Sequence, residues 1–307
     1  MTIQKKILKL NHKKIIDIPI LLICFDRPEE LKKNIKLLLK YKVKNLYIAQ
    51  DGYNGVDYKS KNGHKEVRKI LEELIKKSKV NINYFKKNYG KRYGPPKAIS
   101  WFFKNVEMGV IVEDDTLPSK SFLLMSEILL EEHKHDKKVF QICGSGVLSK
   151  NFGSLTYLSS IPFIHGWATW RNRWKLYTQK IGNLKDLYNN KNFNKNVKSF
   201  INKIYWLDIF KNYKEKKIKT WDYPLVYYSL INNYQCIKPS INLITNIGYR
   251  EKNKLSFRKR YEINTFYHLK NIKTSFKIEK EDESWIYSVS LRYQFSLIRK
   301  FFKGSLI

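Results

Sequence analysis

The sequence predicts an α/β protein in which a mostly parallel central sheet is flanked by helices. In the first 144 residues, apolar segments of strand length alternate with amphipathic segments of helical periodicity. This alternation is typical of parallel strands joined by right-handed helical crossovers. The composition agrees, because 307 residues with 43% hydrophobic and 15% aromatic side chains can bury a substantial core. The same figures exclude a disordered polycation.

The elements of the first half follow one another in a regular order. The first predicted strand, IPILLICF (18–25), is an apolar run, and the segment after it, PEELKKNIKLLLKY (28–41), has the spacing of an amphipathic helix. Pro28 and the two acidic residues behind it are typical of a first helical turn. The alternation continues with predicted strands at 45–50, 80–85, 109–113 and 139–144, and with predicted helices at 65–78, 97–106 and 122–135.

The second half of the chain is less regular. It contains an aromatic stretch, PFIHGWATWRNRWKLY (162–177), helices predicted near 194–214 and 222–233, and a short strand near 234–238. From about residue 250 the sequence becomes strongly basic. These changes predict a first half spanning 1–150, a second half of the same domain spanning 151–255 and a basic C-terminal extension spanning 256–307.

The chain carries 60 Lys and Arg residues against 27 Asp and Glu residues, which gives a net charge of +33. This excess favours polyanionic partners such as nucleic acid, an anionic membrane surface or phosphorylated small molecules. Because the charge is dispersed over most helices, no dedicated nucleic-acid partner is expected. Cys24, Cys143 and Cys236 lie in apolar segments and predict buried thiols in a reducing, cytoplasmic compartment. We expect neither a signal peptide nor a membrane-spanning helix.

Three adjacent carboxylates, Glu113, Asp114 and Asp115, follow the fourth predicted strand in VIVEDDTLPS. Adjacent carboxylates repel one another, and proximity to a buried strand raises the cost. A hard divalent cation such as Mn²⁺ or Mg²⁺ would relieve that repulsion and would help to hold a diphosphate. The alternative is a solvated acidic turn in which Asp115 or Thr116 caps the next helix. This stretch alone leaves both interpretations open.

Polar residues also follow the first three predicted strands, so we expect them at the sheet edge where open α/β sheets bind ligands. Arg27 follows the first strand, and Asp51 follows the second. The loop after the third strand, NYGKRYGPPKA (88–98), combines glycines with cations that suit phosphate. These cations are Lys91, Arg92 and Lys97. The alternative is a basic surface loop, since neither the P-loop pattern nor G-x-G-x-x-G occurs there.

Candidate residues in the second half lie in HGWATWRNRW and TWDYP. The three tryptophans of HGWATWRNRW have helical spacing, which is more typical of a core face than of a ligand site. Gly166 and Trp167, at its start, are the better ligand candidates, and the spacing does not decide whether His165 lines a site. Asp222 of TWDYP stands at a predicted helix start, where it is either an N-cap or a general base.

Taken together, these segments resemble a nucleotide-sugar glycosyltransferase with the single Rossmann-like domain called the GT-A fold. The chain is similar to a bacterial group of nucleotide-diphospho-sugar transferases that resembles eukaryotic N-acetylglucosaminyltransferase I in pattern. The resemblance covers about residues 18–248, and it implies an enzyme of bacterial surface polysaccharide biosynthesis. It rests on the segments PILLICFDRPEEL, YIAQDG, KNYGKRYGPPKAISWFF, GVIVEDDTLPSKSF, PFIHGWATWRNRW, TWDYPLVYYSLINN and NLITNIG.

By position, the resemblance implies a donor site in the first half. Arg27 would contact the nucleotide, and Asp51 would read the uracil edge. Glu113 and Asp114 would lie near the ribose and the donor sugar. Asp115 would be the direct ligand of Mn²⁺, or of Mg²⁺, in a DXD-like motif. The phosphate contact would fall to Lys91, Arg92 or Lys97.

The same resemblance implies an acceptor side in the second half. Trp221 and Asp222 match a Trp-Asp pair whose aspartate is the catalytic base, and His165, Gly166 and Trp167 fall where acceptor or sugar contacts are expected. The implied reaction is inverting transfer of a sugar from a UDP-sugar to a hydroxyl of a glycan or a lipid-linked oligosaccharide. The base deprotonates that hydroxyl while cations stabilise the departing diphosphate.

Two other functions share some of these features. A sugar nucleotidyltransferase would use a nucleotide, a metal and this sheet edge, but its usual glycine-rich basic loop directly after the first strand is missing. A non-enzymatic polyanion-binding protein would account for the charge of +33. The C-terminal segment SVSLRYQFSLIRKFFKGSLI predicts either attachment to the anionic inner face of the cytoplasmic membrane or a packed helix with a solvated basic face.

Overall fold

A computed structural model describes residues 15–53, 55, 58–146, 156–248 and 291–306. The chain is an α/β protein whose eight-stranded central sheet is flanked by helices, so the predicted fold class is confirmed. The strands are β1 (Ile20–Cys24), β2 (Leu46–Gln50), β3 (Asn81–Tyr84), β4 (Met108–Glu113), β5 (Thr116–Pro118), β6 (Val139–Cys143), β7 (Thr156–Ser159), β8 (Trp167–Trp170), β9 (Gln235–Pro239) and β10 (Ile244–Asn246). The helices are α1 (Pro28–Lys40), α2 (Tyr58–Lys77), α3 (Gly90–Asn105), α4 (Lys120–Glu132), α5 (Arg171–Trp174), α6 (Leu184–Asn189), α7 (Lys191–Asn196), α8 (Phe200–Lys214), α9 (Tyr223–Ile231) and α10 (Leu291–Phe302).

The central sheet has the strand order β3-β2-β1-β4-β8-β6-β9-β7. On one side β3, β2, β1 and β4 are mutually parallel, and β6 also pairs in parallel with β9. β8 lies antiparallel between β4 and β6, and β7 lies antiparallel beside β9. Four of these seven pairings are parallel, as the alternation of strands and helices predicts.

The centre of the parallel block is β1, and all five of its residues are buried. Helix α1 covers the sheet with Leu31, Ile35 and Leu38, whose spacing places them on one helical face. Burying each of these side chains contributes about 1.5–3 kcal/mol. β1 pairs with β2 on one side and with β4 on the other. The strand order therefore reverses at β1, and open α/β sheets bind ligands at such a switch point.

Both halves of the chain contribute to this one sheet, since β7, β8 and β9 come from the second half. The second half also forms a helical cluster whose buried side chains include Phe193, Leu207, Phe210 and Leu230. The predicted boundary near residue 150 lies outside the described residues, as does most of the predicted extension 256–307.

Helix α3 begins earlier than the sequence predicts. It starts at Gly90, so the prediction of a loop over 88–98 is wrong for most of that segment. Pro95 and Pro96 lie inside this helix, and a proline there lacks a backbone hydrogen-bond donor. Here the side-chain amide of Gln179 donates to the carbonyl oxygen of Arg92 at 2.7 Å. That bond replaces the backbone bond that Pro96 is unable to make.

The helical spacing of the tryptophans in HGWATWRNRW is not realised. Trp167 and Trp170 lie in strand β8, and the short helix α5 begins only after it. Because β8 is inserted between β4 and β6, pairing on both sides holds this segment extended. Trp167, Trp170 and Trp174 are nevertheless buried, so their interpretation as core residues is confirmed.

Strands β5, β7 and β10 are additional to the predicted ones, and the other differences concern helices. The helix predicted near 194–214 is two helices, α7 and α8, because Val197 and Ser199 have extended conformations between them. Helix α2 begins at Tyr58 rather than at residue 65. The predicted strands of the first half occur at or within two residues of their expected ends.

The described part of the C-terminal segment, 291–306, is dominated by α10, which packs on α8. Leu297 is fully buried, and Nζ of Lys300 donates to Oδ1 of Asp208 at 2.8 Å. The packed-helix interpretation is therefore confirmed, whereas membrane attachment stays a prediction. Within the described ranges, no helix combines the length and apolarity needed to cross a membrane.

Candidate functional site

Three segments meet at the carboxyl edge of β1, β2 and β4. The backbone amide of Asp51 donates to the carbonyl of Cys24 at 3.1 Å, and that of Asp114 donates to the carbonyl of Ile23 at 2.9 Å. These bonds continue the parallel pairing just beyond the strand ends. Only residues 25–27 connect β1 to α1, so Arg27 is carried directly to the same edge.

Arg27 joins the two aspartates that follow β4. Its Nη1 lies 2.5 Å from Oδ2 of Asp115, and its Nη2 contacts Oδ1 of Asp114. The side chain of Asp114 is 1% exposed and that of Asp115 is 14% exposed. Asp115 is therefore the aspartate that a solvent-borne ligand reaches more readily.

One guanidinium in this cluster faces three carboxylates. Burial, followed by the charges of Asp115 and Asp114, raises the pKa of Glu113 to about 8. Burial also raises the pKa of Asp114 to about 7, although Arg27 opposes that shift. The carboxylates thus repel one another even in the presence of Arg27. Carboxylate oxygens are ligands that Mn²⁺ and Mg²⁺ prefer, and a metal ion at this cluster stays a prediction.

The expectation that Asp115 or Thr116 caps the next helix is wrong. Thr116 begins β5, and the cap of α4 is Ser119, whose hydroxyl accepts from the backbone amide of Phe122 at 3.1 Å. Across the part of the chain that the structure describes, no three His, Cys, Asp or Glu side chains are grouped to hold a metal ion. A cation at Asp115 would therefore need further oxygen ligands, which a donor diphosphate supplies.

The turn that carries these acids is held by Asn34, a residue that the motifs in the sequence do not single out. Asn34 is buried on α1, and its Nδ2 donates to the carbonyl oxygens of Glu113 at 3.1 Å and of Thr116 at 2.8 Å. The two bonds fix the backbone on both sides of the aspartates. The available signal was a polar residue on the apolar face of α1, between Leu31 and Ile35.

Replacing Asn34 by leucine is expected to lower the free energy of unfolding by about 1–3 kcal/mol, because two carbonyl oxygens lose a buried donor. Leucine is close to asparagine in size, so the main change is loss of the amide. Urea denaturation of the whole chain measures the difference. The exposed change Lys33→Ala on the same helix should stay within about 0.5 kcal/mol of the native protein. Equal stability of Asn34→Leu and the native protein would contradict this role.

A separate two-stranded sheet brings the end of the second half onto the acids. β10 pairs antiparallel with β5, and Asn246 lies opposite Thr116. The backbone amide of Ile247 donates to the carbonyl of Asp115 at 2.8 Å. A Cβ at Gly248 would lie 2.2 Å from Oδ2 of Asp115, so the absence of a side chain permits this approach. The NLITNIG segment therefore encloses one side of Asp115.

His165 and Gly166 lie beside this two-stranded sheet. Nδ1 of His165 is 3.5 Å from Nδ2 of Asn246. Gly166 has a left-handed backbone with φ of 62°, and a Cβ there would lie 2.4 Å from Cδ1 of Ile244. The turn into β8 thus requires glycine, and it places His165 next to the segment that encloses Asp115.

Asp51 caps helix α3. Its Oδ1 accepts from the backbone amide of Tyr89 at 3.0 Å, and its Oδ2 accepts from that of Gly90 at 2.9 Å. A Cβ at Gly94 would lie 2.9 Å from Oδ2 of Asp51, so this glycine lets the helix start close to the carboxylate. The role of Asp51 in reading the uracil edge stays a prediction.

The side chains of the three cations in the 88–98 segment lie in different surroundings. The guanidinium of Arg92 lies 3.9 Å from the centroid of the Tyr213 ring, in the second half of the chain. Nζ of Lys97 lies 4.4 Å from the centroid of the Tyr89 ring, and Lys91 is exposed. Within the described residues, none of the three forms an ion pair with the acids after β4. Their contact with donor phosphates stays a prediction.

Asp222 occupies the N-cap position of α9, but its side chain forms no capping hydrogen bond. Its Oδ1 instead accepts a hydrogen bond from Oγ1 of Thr220. The charge of Asp222 adds to burial and to the neighbouring aspartates in raising the pKa of Glu113. The structure therefore does not support the capping interpretation, and the role of Asp222 as a general base stays a prediction.

An aromatic cluster supports the segment that carries Asp222. The ring of Trp221 lies 6.0 Å from that of Trp167 and 6.1 Å from that of Trp174, measured between centroids. The hydroxyl of Tyr177 donates to the carbonyl of Trp221 at 2.9 Å. Trp167 and Trp221 are buried, so here they are core side chains rather than open stacking surfaces. Their contact with an acceptor sugar stays a prediction.

Comparisons with known proteins find similar solved structures but assign no function to this chain. No protein-family model matches the sequence, and no curated protein matches it. HddC from Yersinia pseudotuberculosis matches with a TM-score of 0.30 and 10% identity, over 50% of this chain and 77% of that chain. The 4-diphosphocytidyl-2C-methyl-D-erythritol synthase from Anaerococcus prevotii DSM 20548 matches with a TM-score of 0.34 and 10% identity, over 76% and 94%. UDP-glucose pyrophosphorylase complexed with UDP-glucose matches with a TM-score of 0.35 and 10% identity, over 72% and 90%. Similarities this low assign neither a family nor an activity to this chain.

Proposed function

We propose that this protein is a metal-dependent glycosyltransferase of the GT-A type. It transfers a sugar from a nucleoside-diphosphate donor, a UDP-sugar, to a hydroxyl of a glycan or glycolipid, with inversion at the anomeric carbon. The observation that carries the proposal is that the carboxylate of Asp222 makes no capping hydrogen bond at the start of α9 and accepts one from Thr220 instead. An acidic, cation-binding sheet edge and a separate carboxylate are the two parts that an inverting transfer needs.

The donor side of the proposed site is built on Arg27 and Asp115. The planar guanidinium of Arg27 suits a phosphate oxygen, and its ion pairs with Asp114 and Asp115 hold it at the sheet edge. Mn²⁺ or Mg²⁺ at Asp115 would neutralise the charge that develops on the departing diphosphate. Glu113 and Asp114 border the ribose and the donor sugar in this arrangement.

The acceptor side is built on Asp222. Its carboxylate accepts the proton of the acceptor hydroxyl while that oxygen bonds to the anomeric carbon and the bond to the diphosphate oxygen breaks. The hydroxyl of Thr220 orients the carboxylate, and the aromatic cluster around Trp221 holds its backbone. His165 and Gly166 border the acceptor on the side of the two-stranded sheet. The three cysteines are buried, and they form no disulfide among the described residues, which suits a cytoplasmic location.

Sugar nucleotidyl transfer is the second candidate, because it would use a nucleotide, a metal and the same sheet edge. The connection 25–27 between β1 and α1 is too short for the glycine-rich basic loop expected of such enzymes. Nucleotidyl transfer also gives no role to Asp222 as a base on the acceptor side. The geometry therefore favours glycosyl transfer.

A panel of sugar nucleotides, incubated with the whole chain with and without MnCl₂, tests the proposal. We expect release of UDP from at least one UDP-sugar, and only when Mn²⁺ is present. Formation of a sugar nucleotide and pyrophosphate from a nucleoside triphosphate and a sugar 1-phosphate would establish the second candidate instead. Absence of both reactions, together with tight and steeply salt-dependent nucleic-acid binding, would identify a polyanion-binding protein.

A further inference from the structure

We propose that the exposed face of α10 binds an anionic lipid surface. Phe295 is 68% exposed and Phe302 is 77% exposed. With Arg299 between them, they follow the i, i+4, i+7 spacing of one helical face, and we call these three residues the Phe–Arg–Phe stripe. The proposal goes beyond the glycosyl transfer proposed above, because it concerns a surface and not the reaction.

The stripe is not needed to attach α10 to the rest of the protein. Leu297 and Leu306, on the opposite side of this segment, are buried in the core of the second half. Nζ of Lys300 bonds to Asp208 at 2.8 Å, and Nζ of Lys211 bonds to the carbonyl of Ser305 at 2.5 Å. Helix α10 is therefore held by its other face.

Full burial of a phenylalanine side chain stabilises a fold by about 1.5–3 kcal/mol. Phe295 and Phe302 do not contribute this stabilisation, because they are exposed. The apolar surface is also continuous with the start of α8. The ring of Phe301 lies 5.7 Å from that of Phe302 and 5.2 Å from that of Phe200, which is itself exposed. A contiguous exposed apolar patch of this kind is typical of an interaction surface.

The charges around the stripe select the chemistry of the partner. Arg299, Lys303 and Lys198 are exposed, and no acidic residue occurs in 291–307. The acid that α10 does contact, Asp208, is already paired with Lys300. Phenylalanines flanked by exposed cations match the boundary between acyl chains and anionic headgroups, where each basic residue contributes about 1 kcal/mol.

A second copy of the chain is a poorer occupant of this surface. Each copy carries a net charge of +33, so two copies repel one another at moderate salt. Double-helical nucleic acid would pair with the cations, but its bases are already stacked, so the phenylalanines would contact no apolar surface. The anionic lipid surface is therefore the occupant that satisfies both the phenylalanines and the cations.

Co-sedimentation of the whole chain with vesicles tests this proposal. We expect binding to phosphatidylcholine vesicles that contain phosphatidylglycerol and much weaker binding to vesicles of phosphatidylcholine alone. The double change Phe295→Ser/Phe302→Ser should lower the partition coefficient by about tenfold or more, since two inserted apolar side chains are lost. Arg299→Gln should weaken binding and reduce its salt dependence.

The matched control is Tyr58→Ser, which removes an exposed aromatic side chain on α2, away from the stripe, and should leave vesicle binding unchanged. Thermal melting checks that the stripe variants fold like the native chain, as expected for exposed positions. Equal vesicle binding by the native chain and the Phe295→Ser/Phe302→Ser variant would overturn the proposal. It would also be overturned if that variant changed only self-association in sedimentation velocity, or only RNA binding.

Discussion

Replacing Asp222 by asparagine is expected to reduce sugar transfer by about 10²–10⁴-fold, the usual effect of removing a general base. Asparagine keeps the size and the hydrogen bond from Thr220 but is unable to accept the proton of the acceptor hydroxyl. The donor should bind as before, because Asp222 belongs to the second half and the donor-side residues are Arg27 and Asp115. The measurement is kcat for UDP release beside the donor dissociation constant from calorimetry.

The matched control for this experiment is Asp186→Asn, which removes a carboxylate from the first turn of α6 without touching the proposed site. Its kcat should equal that of the native chain. Loss of donor affinity in Asp222→Asn, with kcat unchanged at saturating donor, would show that Asp222 binds the donor and is not the base. Full activity of the variant would indicate a retaining reaction or a different base.

Replacing Asp115 by asparagine is expected to abolish Mn²⁺-dependent UDP release and, independently of activity, the stabilisation of the fold by Mn²⁺. Asp115 is the more exposed of the two aspartates that face Arg27, and losing its charge removes the anionic ligand from the proposed metal position. In the native chain, Mn²⁺ at a hundredfold excess over its dissociation constant should add about 2.7 kcal/mol to the free energy of unfolding. Thermal melting with and without MnCl₂ measures the difference.

The stabilisation by Mn²⁺ should depend on pH. Burial and neighbouring carboxylates raise the pKa of Glu113 to about 8 and that of Asp114 to about 7. The folded chain then holds these protons more tightly than the unfolded chain, so the metal-free fold loses stability as the pH rises from about 4 to about 8. A divalent cation offsets the charge that develops, and the Mn²⁺-induced shift in Tm should be larger near pH 8 than near pH 6.

Two outcomes would count against the metal position. One is an equal Mn²⁺-induced shift in Asp115→Asn and the native chain. The other is the same loss of that shift in the control Asp186→Asn, which would indicate a general charge effect. A shift that disappears only in Asp115→Asn supports the assignment, and it does so without any knowledge of the sugar or the acceptor.

The sequence was sufficient where local pattern and local structure agree. The run IPILLICF became the buried central strand β1, and PEELKKNIKLLLK became α1 with its apolar face on the sheet. Polar residues after successive strands met at one edge, because parallel strands carry their carboxyl ends to the same side. The sequence alone therefore predicts that the acids after β4 lie at the same sheet edge as Arg27, and the structure has them in contact.

The sequence was insufficient where a distant partner decides the backbone. The start of α3 depends on Asp51, which accepts the amides of Tyr89 and Gly90, and on Gln179, which bonds the carbonyl that Pro96 leaves free. No local pattern contains these partners, so the sequence predicted a loop over 88–98 and a helix only from residue 97. The helical spacing in HGWATWRNRW was a poor guide for a similar reason. Pairing with β4 and β6 holds its first part extended as strand β8.

By itself, the sequence determined the fold class, the order of the strands and helices in the first half, and the set of acids and cations available for a site. Those features follow from hydrophobic periodicity and from the geometry of parallel strands, which act over short stretches of chain. Only the tertiary structure decided that Asn34 holds the acidic turn and that Asp51 and Gln179 support the first turns of α3. These contacts link residues of separate elements, so they depend on how the whole chain packs.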